Sequence, residues 1–239
     1  MQTIIEKRTV FSNNRKASTV SDDTVFNSQD ILINDRNKID GISLLEKINN
    51  NKITICFFDP QYRGIMDKMQ YGNEGKRQIG RAELTQMSNE MIKIFIKEID
   101  RVLIPSGHLF LWIDKFHLCE GISSWCNDTS LSIVDLIVWD KGKIGMGYRT
   151  RRKSEYLLVL QKKPIRAKGV WIKHNLPDVW DEKIFSKIHP HQKPVLLQRN
   201  LIEAVSSIND FVLDPCAGSY SVLTACKSTE RNFIGGDIQ

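Results

Sequence analysis

The residues best suited to chemistry are Asp59-Pro60-Gln61-Tyr62, which directly follow the apolar run 53–58. The run predicts a buried strand of a parallel sheet, and Pro60 must end it because proline cannot donate to a sheet ladder. Asp59 is therefore expected at the carboxyl end of the strand, where open α/β sheets bind their ligands. Asp59 and the Pro60 carbonyl oxygen could accept the two hydrogens of a planar amine, and Tyr62 could stack on its ring. Taken alone, however, the tetrapeptide favours an ordinary strand-end turn.

A second candidate site is predicted at residues 211–219, which read as a buried strand, a tight turn and the start of a helix. Gly218 lets the backbone approach a ligand closely, and the amides at the start of the helix can meet a carboxylate. The next strand, 232–237, ends in Asp237, roughly 20 residues beyond the glycine, where an acid can hold two ribose hydroxyls. Neither Gly-x-Gly-x-x-Gly nor a Walker lysine is present, which favours a nucleoside without a pyrophosphate over NAD, FAD or ATP.

The elements that must position these motifs alternate between strands and helices, which predicts a three-layer α/β fold with a doubly wound, mostly parallel sheet. Asp40 ends a further predicted strand, so it is expected to face the same crevice as Asp59. Apolar residues at helical spacing predict a helix over 82–102 that only packs the core, and 105–107 are expected to stop the chain there. Further strands are predicted at 108–113, 133–139 and 155–160, and further helices at 116–126 and 195–205.

Length and composition predict one α/β domain, because the chain has 239 residues of which 41% are apolar. Residues 1–37 are polar and are interpreted as an N-terminal arm, which leaves 38–239 as the main domain. No apolar run approaches the roughly 18 residues of a membrane span, and no signal-peptide core is recognised at the N-terminus. With five cysteines and no Cys-x-x-Cys pair, these features predict a soluble cytoplasmic protein with reduced thiols.

Positive charge is concentrated between Lys141 and Lys168, where ten basic residues accompany one acid, Glu155, although the whole chain has a net charge of only +6. With aromatic residues interleaved, this segment favours a nucleic-acid partner over an ordinary solvated face. The irregular stretch 164–187 is the expected place of sequence readout. The candidate phosphate contacts are Lys141, Lys143, Arg149, Arg151, Arg152 and Lys153, together with Lys76 and Arg77 in the long loop after Tyr62.

His189 and His191 form a His-x-His pair, an arrangement that invites interpretation as a metal site. No third ligand is evident in the sequence, and two residues on one extended segment cannot close a zinc site alone. No metal is therefore expected in this protein.

Three ordered motifs resemble the DNA amino-methyltransferase family in its circularly permuted, β-class order: Asp59-Pro60-Gln61-Tyr62, then 189–194, then 214–219 with Asp237. In that order the target-amine motif precedes the S-adenosylmethionine motif, and the target-recognition region, here 141–188, lies between them. The resemblance runs from Asp40 to the end of the sequence. It implies a Rossmann-like methyltransferase fold for 38–239, S-adenosyl-L-methionine as the cofactor and double-stranded DNA as the substrate.

The resemblance also implies a role for each matching residue. Asp59, Pro60 and Tyr62 carry the amine chemistry. The implied cofactor contacts are Asp40, Gly41, Asp59, His189, Gln192, Lys193, Pro194, Asp214, Cys216, Ala217, Gly218, Ser219 and Asp237. Within this set, residues of 214–219 surround the methionine part, Asp237 holds the ribose and Asp40 lies near the adenine.

Two residues depart from the family pattern. Gln61 replaces the usual second proline but still presents a backbone carbonyl. Tyr220 replaces the usual second glycine, so a side chain stands where the backbone normally makes room for the cofactor. Tyr220 either points away from the cofactor or weakens its binding, and the second outcome would favour a DNA-binding protein that has lost catalysis.

The reaction implied by the resemblance is methyl transfer to an exocyclic amine of a base flipped out of the duplex. Aspartate at the first motif position is commoner in the adenine enzymes of the family, which favours adenine N6 over cytosine N4. A methyltransferase acting on protein glutamine or RNA is a further alternative, against which the permuted order and the basic segment argue. The family allows a homodimer and a cognate restriction endonuclease as partners, in a bacterial or phage cytoplasm.

Overall fold

The computed structural model of the chain describes residues 25–27, 30–61, 87–145, 149–184 and 192–238. Among these residues, one mixed sheet of eight strands is packed between two layers of helices. The strands are β1 (Asn37–Lys38), β2 (Ile53–Phe58), β3 (Leu103–Ile113), β4 (Leu131–Asp140), β5 (Ser154–Lys162), β6 (Val179–Asp181), β7 (Phe211–Asp214) and β8 (Asn232–Asp237). The helices are α1 (Gly41–Glu46), α2 (Asn89–Val102), α3 (Lys115–Glu120), α4 (Ser123–Cys126), α5 (Val195–Val205) and α6 (Ser221–Lys227).

The strands are arranged in the order β1-β8-β7-β2-β3-β5-β4-β6. The first five run parallel to one another, β5 is antiparallel to both of its neighbours, and β6 is parallel to β4. Seven strands therefore point one way and β5 alone points the other. The prediction of a three-layer α/β fold with a mostly parallel sheet is confirmed. None of the described helices has the length and apolar character that a membrane crossing requires.

Strand β2 shows why its residues form the centre of the sheet. All six of its side chains are buried. Cys56 and Phe58 face the layer that contains α1 and α2, whereas Ile55 and Phe57 face α5 and α6. Because successive side chains of a strand point to opposite faces, a continuous apolar run is what a sheet covered on both sides requires.

The end of β2 is one of several strand ends that meet at the same edge of the sheet. Strands β2, β7 and β8 are parallel neighbours. Asp59 directly follows β2, Asp214 is the last residue of β7, and Asp237 is the last residue of β8. Asp40 follows β1, which pairs in parallel with β8. We call this the carboxyl edge, and it brings together acids that are up to 197 positions apart in the sequence.

Helix α2 begins later than the sequence predicts. Its N-cap is Ser88, whose hydroxyl oxygen accepts a hydrogen bond from the amide of Met91 at 3.2 Å. Met87 lies before the helix, and its amide donates to the carbonyl oxygen of Gln61. The predicted start at residue 82 was therefore wrong, because a serine cap overrides the continued apolar spacing. Residues 62–86 lie outside the described residues, and with them Tyr62, Lys76 and Arg77.

Two other element boundaries also differ from the prediction. The tripeptide 105–107 lies inside β3 instead of before it, and the pairing of β2 with β3 shifts register between Ile53 and Ile55. Ser106 takes a left-handed conformation there, with a φ of 62°. The predicted helix at 116–126 is two short helices, separated at Gly121 with a φ of 83°. The turn at Ser106 therefore leaves β3 continuous, whereas Gly121 ends α3.

The residues before β1, which are polar in sequence and predicted to be part of an arm, pack along β8. The side-chain amide of Asn37 donates to the carbonyl oxygens of Leu32 and Gly235 at 2.9 and 3.0 Å. Asn34 exchanges hydrogen bonds with the backbone of Phe233. These bonds satisfy backbone groups at the edge of β8 and fix the approach of the chain to Asp40.

The antiparallel direction of β5 divides the basic segment between two ends of the sheet. Residues 141–145 and 149–153 precede β5 and lie at the carboxyl edge, whereas Lys162 ends β5 at the opposite edge. There the Lys162 ammonium donates to the carbonyl oxygens of Asp100 and Leu103. The basic residues of 141–168 therefore do not all lie at one edge, because a strand separates the two halves of the segment.

We expect Arg101→Met to lower the free energy of unfolding by about 2 kcal/mol, because hydrogen bonds to charged groups typically contribute that much. The Arg101 guanidinium donates to the carbonyl oxygens of Leu45 and Ile48 at 2.7 and 2.8 Å and joins α1 to α2. Urea denaturation would measure the change. Lys97→Met on the exposed face of the same helix is the matched control, and equal stability of the two variants would contradict this account.

Candidate active site

A cavity of about 810 Å³ opens at the carboxyl edge, between the ends of β2, β7 and β8. Ten of the implied cofactor contacts line it: Asp40, Gly41, Asp59, Lys193, Asp214, Cys216, Ala217, Gly218, Ser219 and Asp237. Gln192 and Pro194 are described but are not among its lining residues, and His189 lies outside the described residues. Pro60 is buried beside the cavity, and Gln61 lines it. The structure thus brings residues from three separate motifs to one cavity.

The turn after β7 is tied to the end of β8. The amide of Gly218 donates to the Asp237 carboxylate at 2.9 Å, and the amide of Ala217 donates to the Gly236 carbonyl oxygen at 3.0 Å. Gly218 has a φ of 43°, in the left-handed region where glycine carries no Cβ penalty. These bonds hold the Asp237 carboxylate against the turn and at the cavity wall.

Asp214 is the most deeply buried acid of the cavity. Burial and the charges of Asp59 and Asp237 raise its pKa to about 8, although a bond from the Cys216 amide and the charge of Lys193 lower it. The Asp214 carboxyl therefore holds its proton over much of the neutral pH range.

Asp59 is held by a lysine that reaches it from another part of the chain. The Lys193 ammonium lies 2.9 Å from an Asp59 carboxylate oxygen and 3.0 Å from a Glu155 carboxylate oxygen. It also lies 4.9 Å from the centre of the Trp112 ring, within the range of a cation–π contact. Burial alone would lower the pKa of Lys193, but Asp59 and Glu155 outweigh it and raise the pKa well above its usual value.

Glu155 completes this group of charges. Its carboxylate also pairs with Lys141 at 3.2 Å. Burial would raise the pKa of Glu155, but Lys193 and Lys141 lower it to about 2. Sequence reasoning missed Glu155 as a site residue. The available signal was that it is the one acid among ten basic residues, at the start of a predicted strand.

The opposite wall of the cavity is apolar and comes from α2. Met91, Ile94 and Phe95 line it, and the side chains of Met91 and Ile94 are otherwise exposed. The prediction that α2 only packs the core was therefore wrong. Gly41, next to this wall, has no room for a side chain, because a Cβ there would lie 2.4 Å from the Pro215 carbonyl oxygen and 2.6 Å from the Phe95 ring.

Asp40 caps α1 at the rim of the cavity. One of its carboxylate oxygens accepts hydrogen bonds from the amides of Ile42 and Ser43 at 3.0 and 3.2 Å. Burial would raise the pKa of Asp40, but the bonds from Ser43 and Ile42 lower it. The helix cap thus keeps an ionised acid at the place where the resemblance implies the adenine.

Two buried polar atoms in the cavity wall have no hydrogen-bond partner among the described residues. They are Trp112 Nε1, a donor, and Gln198 Oε1, an acceptor. Leaving buried polar groups unpaired is costly. Both residues line the cavity, but these two atoms are covered by protein and are not exposed on its surface.

Comparison with known proteins identifies a family whose matched region includes the cavity at the carboxyl edge. A family model for DNA methylases that modify N6 or N4 amines matches residues 53–239, which is more than half of the chain. The chain belongs to the N6/N4 DNA methylase family. The match includes the ends of β2, β7 and β8, where the cavity lies.

Individual bacterial methyltransferases also match the chain in sequence. The chain is 56% identical over 218 residues to the Type II methyltransferase M.HhaII of Haemophilus parahaemolyticus, covering 90% of this chain and 96% of that one. It is 24% identical to the Type II methyltransferase M2.LlaDCHI of Lactococcus lactis, covering 84% of this chain and 82% of that one. These relatives are bacterial.

Solved structures of two methyltransferases share the fold. The M1.HpyAVI–SAM complex superposes with a TM-score of 0.61 at 21% identity, covering 85% of this chain and 93% of that one. The PvuII cytosine-N4-specific DNA methyltransferase superposes with a TM-score of 0.65 at 15% identity, covering 85% and 81%. At these identities the likeness establishes the fold alone.

Tyr220, the departure from the N6/N4 methylase pattern, does not line the cavity. Its backbone is left-handed, with φ 55° and ψ 34°, and its ring packs against Phe233 away from the cavity. The hydroxyl donates to the Asn37 carbonyl oxygen at 3.1 Å, and the Arg36 guanidinium lies 4.9 Å from the ring centre. Of the two outcomes left open by the sequence, the side chain therefore points away from the cavity.

The candidate DNA contacts of this methylase differ in what they already bind. Lys141 pairs with Glu155, and Lys153 pairs with Asp140 at 2.6 Å. Arg151 donates to the Gly145 carbonyl oxygen and is otherwise exposed. Lys143 and Arg149 are exposed at the same edge, and Arg152 is half-buried. Among the described residues, no group of three or more His, Cys, Asp or Glu side chains is arranged to hold a metal ion.

The raised pKa of Asp214 predicts a pH dependence of stability. The folded state holds the proton between about pH 3.8 and pH 8, where the unfolded chain has released it, so stability must fall as pH rises through that window. We expect Asp214→Asn to remove this pH dependence. In the wild type, Asp214 should lower the free energy of unfolding by at most about 1.4 kcal/mol for each pH unit in that window. Urea denaturation at pH 5.5 and pH 8.5 would measure it, with exposed Asp128→Asn as the control. Parallel pH profiles for wild type and Asp214→Asn would contradict a protonated Asp214.

Proposed function

We propose that the chain is a site-specific DNA methyltransferase that moves a methyl group from S-adenosylmethionine to the exocyclic N6 of an adenine flipped out of duplex DNA. The position of Asp59 carries the proposal. Asp59 follows β2 at the carboxyl edge and lines the same cavity as Asp214, Gly218 and Asp237. An amine bound at Asp59 would therefore share one cavity with a ligand held by the turn after β7.

S-adenosylmethionine is supported as the cofactor by membership of a methylase family and by a fold neighbour that was solved as a SAM complex. When bound, it supplies the electrophilic methyl group. Asp237 and the Gly218 turn would hold the ribose, and the turn 214–219 would surround the methionine end.

The chain supplies what an aromatic amine needs to become a nucleophile. The lone pair of an exocyclic amine is delocalised into its ring. Hydrogen bonds from the amine to Asp59 and to the Pro60 carbonyl oxygen would favour a tetrahedral nitrogen and stabilise the positive charge that develops on it. The Lys193 ammonium favours the ionised form of Asp59, which is the form that accepts such a bond. After transfer, the surplus proton on the nitrogen passes to water.

Adenine is proposed as the target because Asp59 occupies the first position of the motif. The PvuII enzyme, which is cytosine-N4-specific, has the same fold. Both amines can donate two hydrogen bonds to the same acceptors, so the methylated base itself must be identified by analysis of the product.

DNA is the proposed macromolecular partner. Four exposed basic residues lie at the carboxyl edge, where Asp59 also lies: Lys143, Arg149, Arg151 and Lys153. Charge placed there would bind phosphates while the flipped base enters the cavity. The Type II relatives support two further proposals, a cognate restriction endonuclease and a place in a bacterial cytoplasm.

The first test is methyl transfer from tritiated S-adenosylmethionine to unmethylated bacterial DNA, with the modified nucleosides resolved by mass spectrometry. We expect label in N6-methyladenine and a loss of at least about 100-fold in rate for Asp59→Ala, the typical effect of removing one transition-state hydrogen-bond partner. Asp128→Ala, at the opposite edge of the sheet, should retain activity. Label in N4-methylcytosine would overturn the choice of base, and undiminished transfer by Asp59→Ala would overturn the role of Asp59.

The second test concerns Tyr220. We expect Tyr220→Phe to leave the affinity for S-adenosylmethionine unchanged, because the side chain lies outside the cavity. Loss of the hydroxyl removes its bond to the Asn37 carbonyl oxygen, which should lower the free energy of unfolding by about 1 kcal/mol. Calorimetric titration and urea denaturation measure the two quantities. A tenfold loss of affinity with unchanged stability would show that Tyr220 shapes the cofactor site.

A further inference from the structure

Lys193 joins two carboxylates that come from different elements of the fold. Asp59 follows β2, and Glu155 is the second residue of β5, yet one ammonium lies 2.9 and 3.0 Å from their oxygens. The Lys193 side chain is only 15% exposed, and its ammonium lies over the Trp112 ring. A buried ammonium with three such contacts has little freedom to move, so it fixes the Asp59 oxygen that it contacts.

A cation beside Asp59 also creates a problem for the reaction. The amine that reacts at Asp59 becomes positively charged, and a neighbouring ammonium opposes that charge. Glu155 offsets this effect, because its carboxylate contacts the same ammonium from the other side. With Glu155 present, the Lys193 ammonium is contacted by two carboxylates, so its charge opposes the amine less while it holds Asp59.

Glu155 is itself held in place from the protein side. Lys141, which directly follows β4, pairs with Glu155 at 3.2 Å. The start of β5 is also fixed by the ladder that pairs Glu155 with Trp139 and Tyr156 with Ile113. The position of Glu155 is therefore set by rigid strands and does not depend on a bound ligand.

We propose that Lys193 and Glu155 are positioning residues for Asp59: Lys193 orients its carboxylate, and Glu155 neutralises Lys193 so that Asp59 can stabilise the cationic amine. The proposal rests on the proposed function, because it assumes that the amine reacts at Asp59. It gives Lys193 a role toward the target amine, whereas the resemblance in sequence implied a cofactor contact. It also assigns a role to Glu155, the acid of the basic segment.

The test is a double-mutant cycle on single-turnover methyl transfer at saturating DNA and S-adenosylmethionine. We expect Glu155→Gln and Lys193→Met each to slow transfer by about 10- to 100-fold, the effect seen when residues that orient the ligands of a catalytic metal are replaced. If Glu155 acts through Lys193, adding Glu155→Gln to Lys193→Met should cost little more. Full additivity of the two losses would overturn the coupling between them.

The pH profile separates positioning from a merely structural role. The charged groups that face Lys193 are Asp59 after β2, Glu155 on β5 and Asp214 at the end of β7, with Lys141 behind Glu155. In Lys193→Met, Asp59 and Glu155 lose their shared cation, so one of them keeps a proton to higher pH. The acidic limb of the rate profile should therefore move to higher pH, and Glu155→Gln in the same variant should move it back. An unmoved limb in Lys193→Met would overturn the proposal.

Controls keep this result distinct from failure of the proposed function. Glu98→Gln removes one carboxylate from the ion pair with Arg101, which lies at the opposite edge of the sheet, and should leave the transfer rate unchanged. Affinity for S-adenosylmethionine, measured by calorimetric titration, should stay within a few fold in each variant. If wild type transfers methyl groups and Asp59→Ala does not, but Glu155→Gln behaves like Glu98→Gln, the function stands and the positioning role fails. Loss of cofactor affinity in Lys193→Met would instead restore its role as a cofactor contact.

Discussion

Three acids meet at one edge of a parallel sheet, and the site depends on how their mutual repulsion is controlled. Asp214 and Asp237 end the neighbouring strands β7 and β8, and Asp59 follows β2 beside them, so the ladder that builds the sheet also brings their charges together. Each acid is accommodated differently. Asp59 pairs with Lys193, Asp237 accepts a bond from the Gly218 amide, and the pKa of Asp214 rises to about 8 through burial and its neighbours. The three acids thus differ in charge and in what they can bind.

The single antiparallel strand, β5, determines which charged residues of its segment lie near these acids. Because β5 runs against its neighbours, its first residues lie at the carboxyl edge and its last residue at the other. Glu155 is thereby placed beside Lys193, and Lys162 is placed where it donates to the carbonyl oxygens at the end of α2. Because of this one antiparallel strand, Glu155 lies at the site, whereas the four basic residues from Lys162 to Lys168 come after the strand has reached the opposite edge.

This reversal also explains what the sequence could and could not predict. The ends of β2, β7 and β8 were predictable because each is an apolar run closed by an acid, and parallel strands must end together. Helix α5 was predicted with its observed bounds. Glu155 could not be found in this way, because no local pattern tells whether a strand runs parallel or antiparallel to its neighbours. The apolar wall from α2 was missed for a related reason, since apolar spacing does not distinguish a core face from a cavity wall.

The protonated state of Asp214 has a consequence for any cationic ligand of this cavity. With Asp59 paired and Asp214 neutral, the cavity floor carries less negative charge than its sequence implies. A cation that enters would favour the ionised form of Asp214, so binding and proton release must be linked. The bond from the Cys216 amide to Asp214 is available to stabilise the ionised form once it appears. Burial of Asp214 therefore keeps its carboxyl neutral beside Asp59 and Asp237, and a positively charged ligand would favour its ionised form.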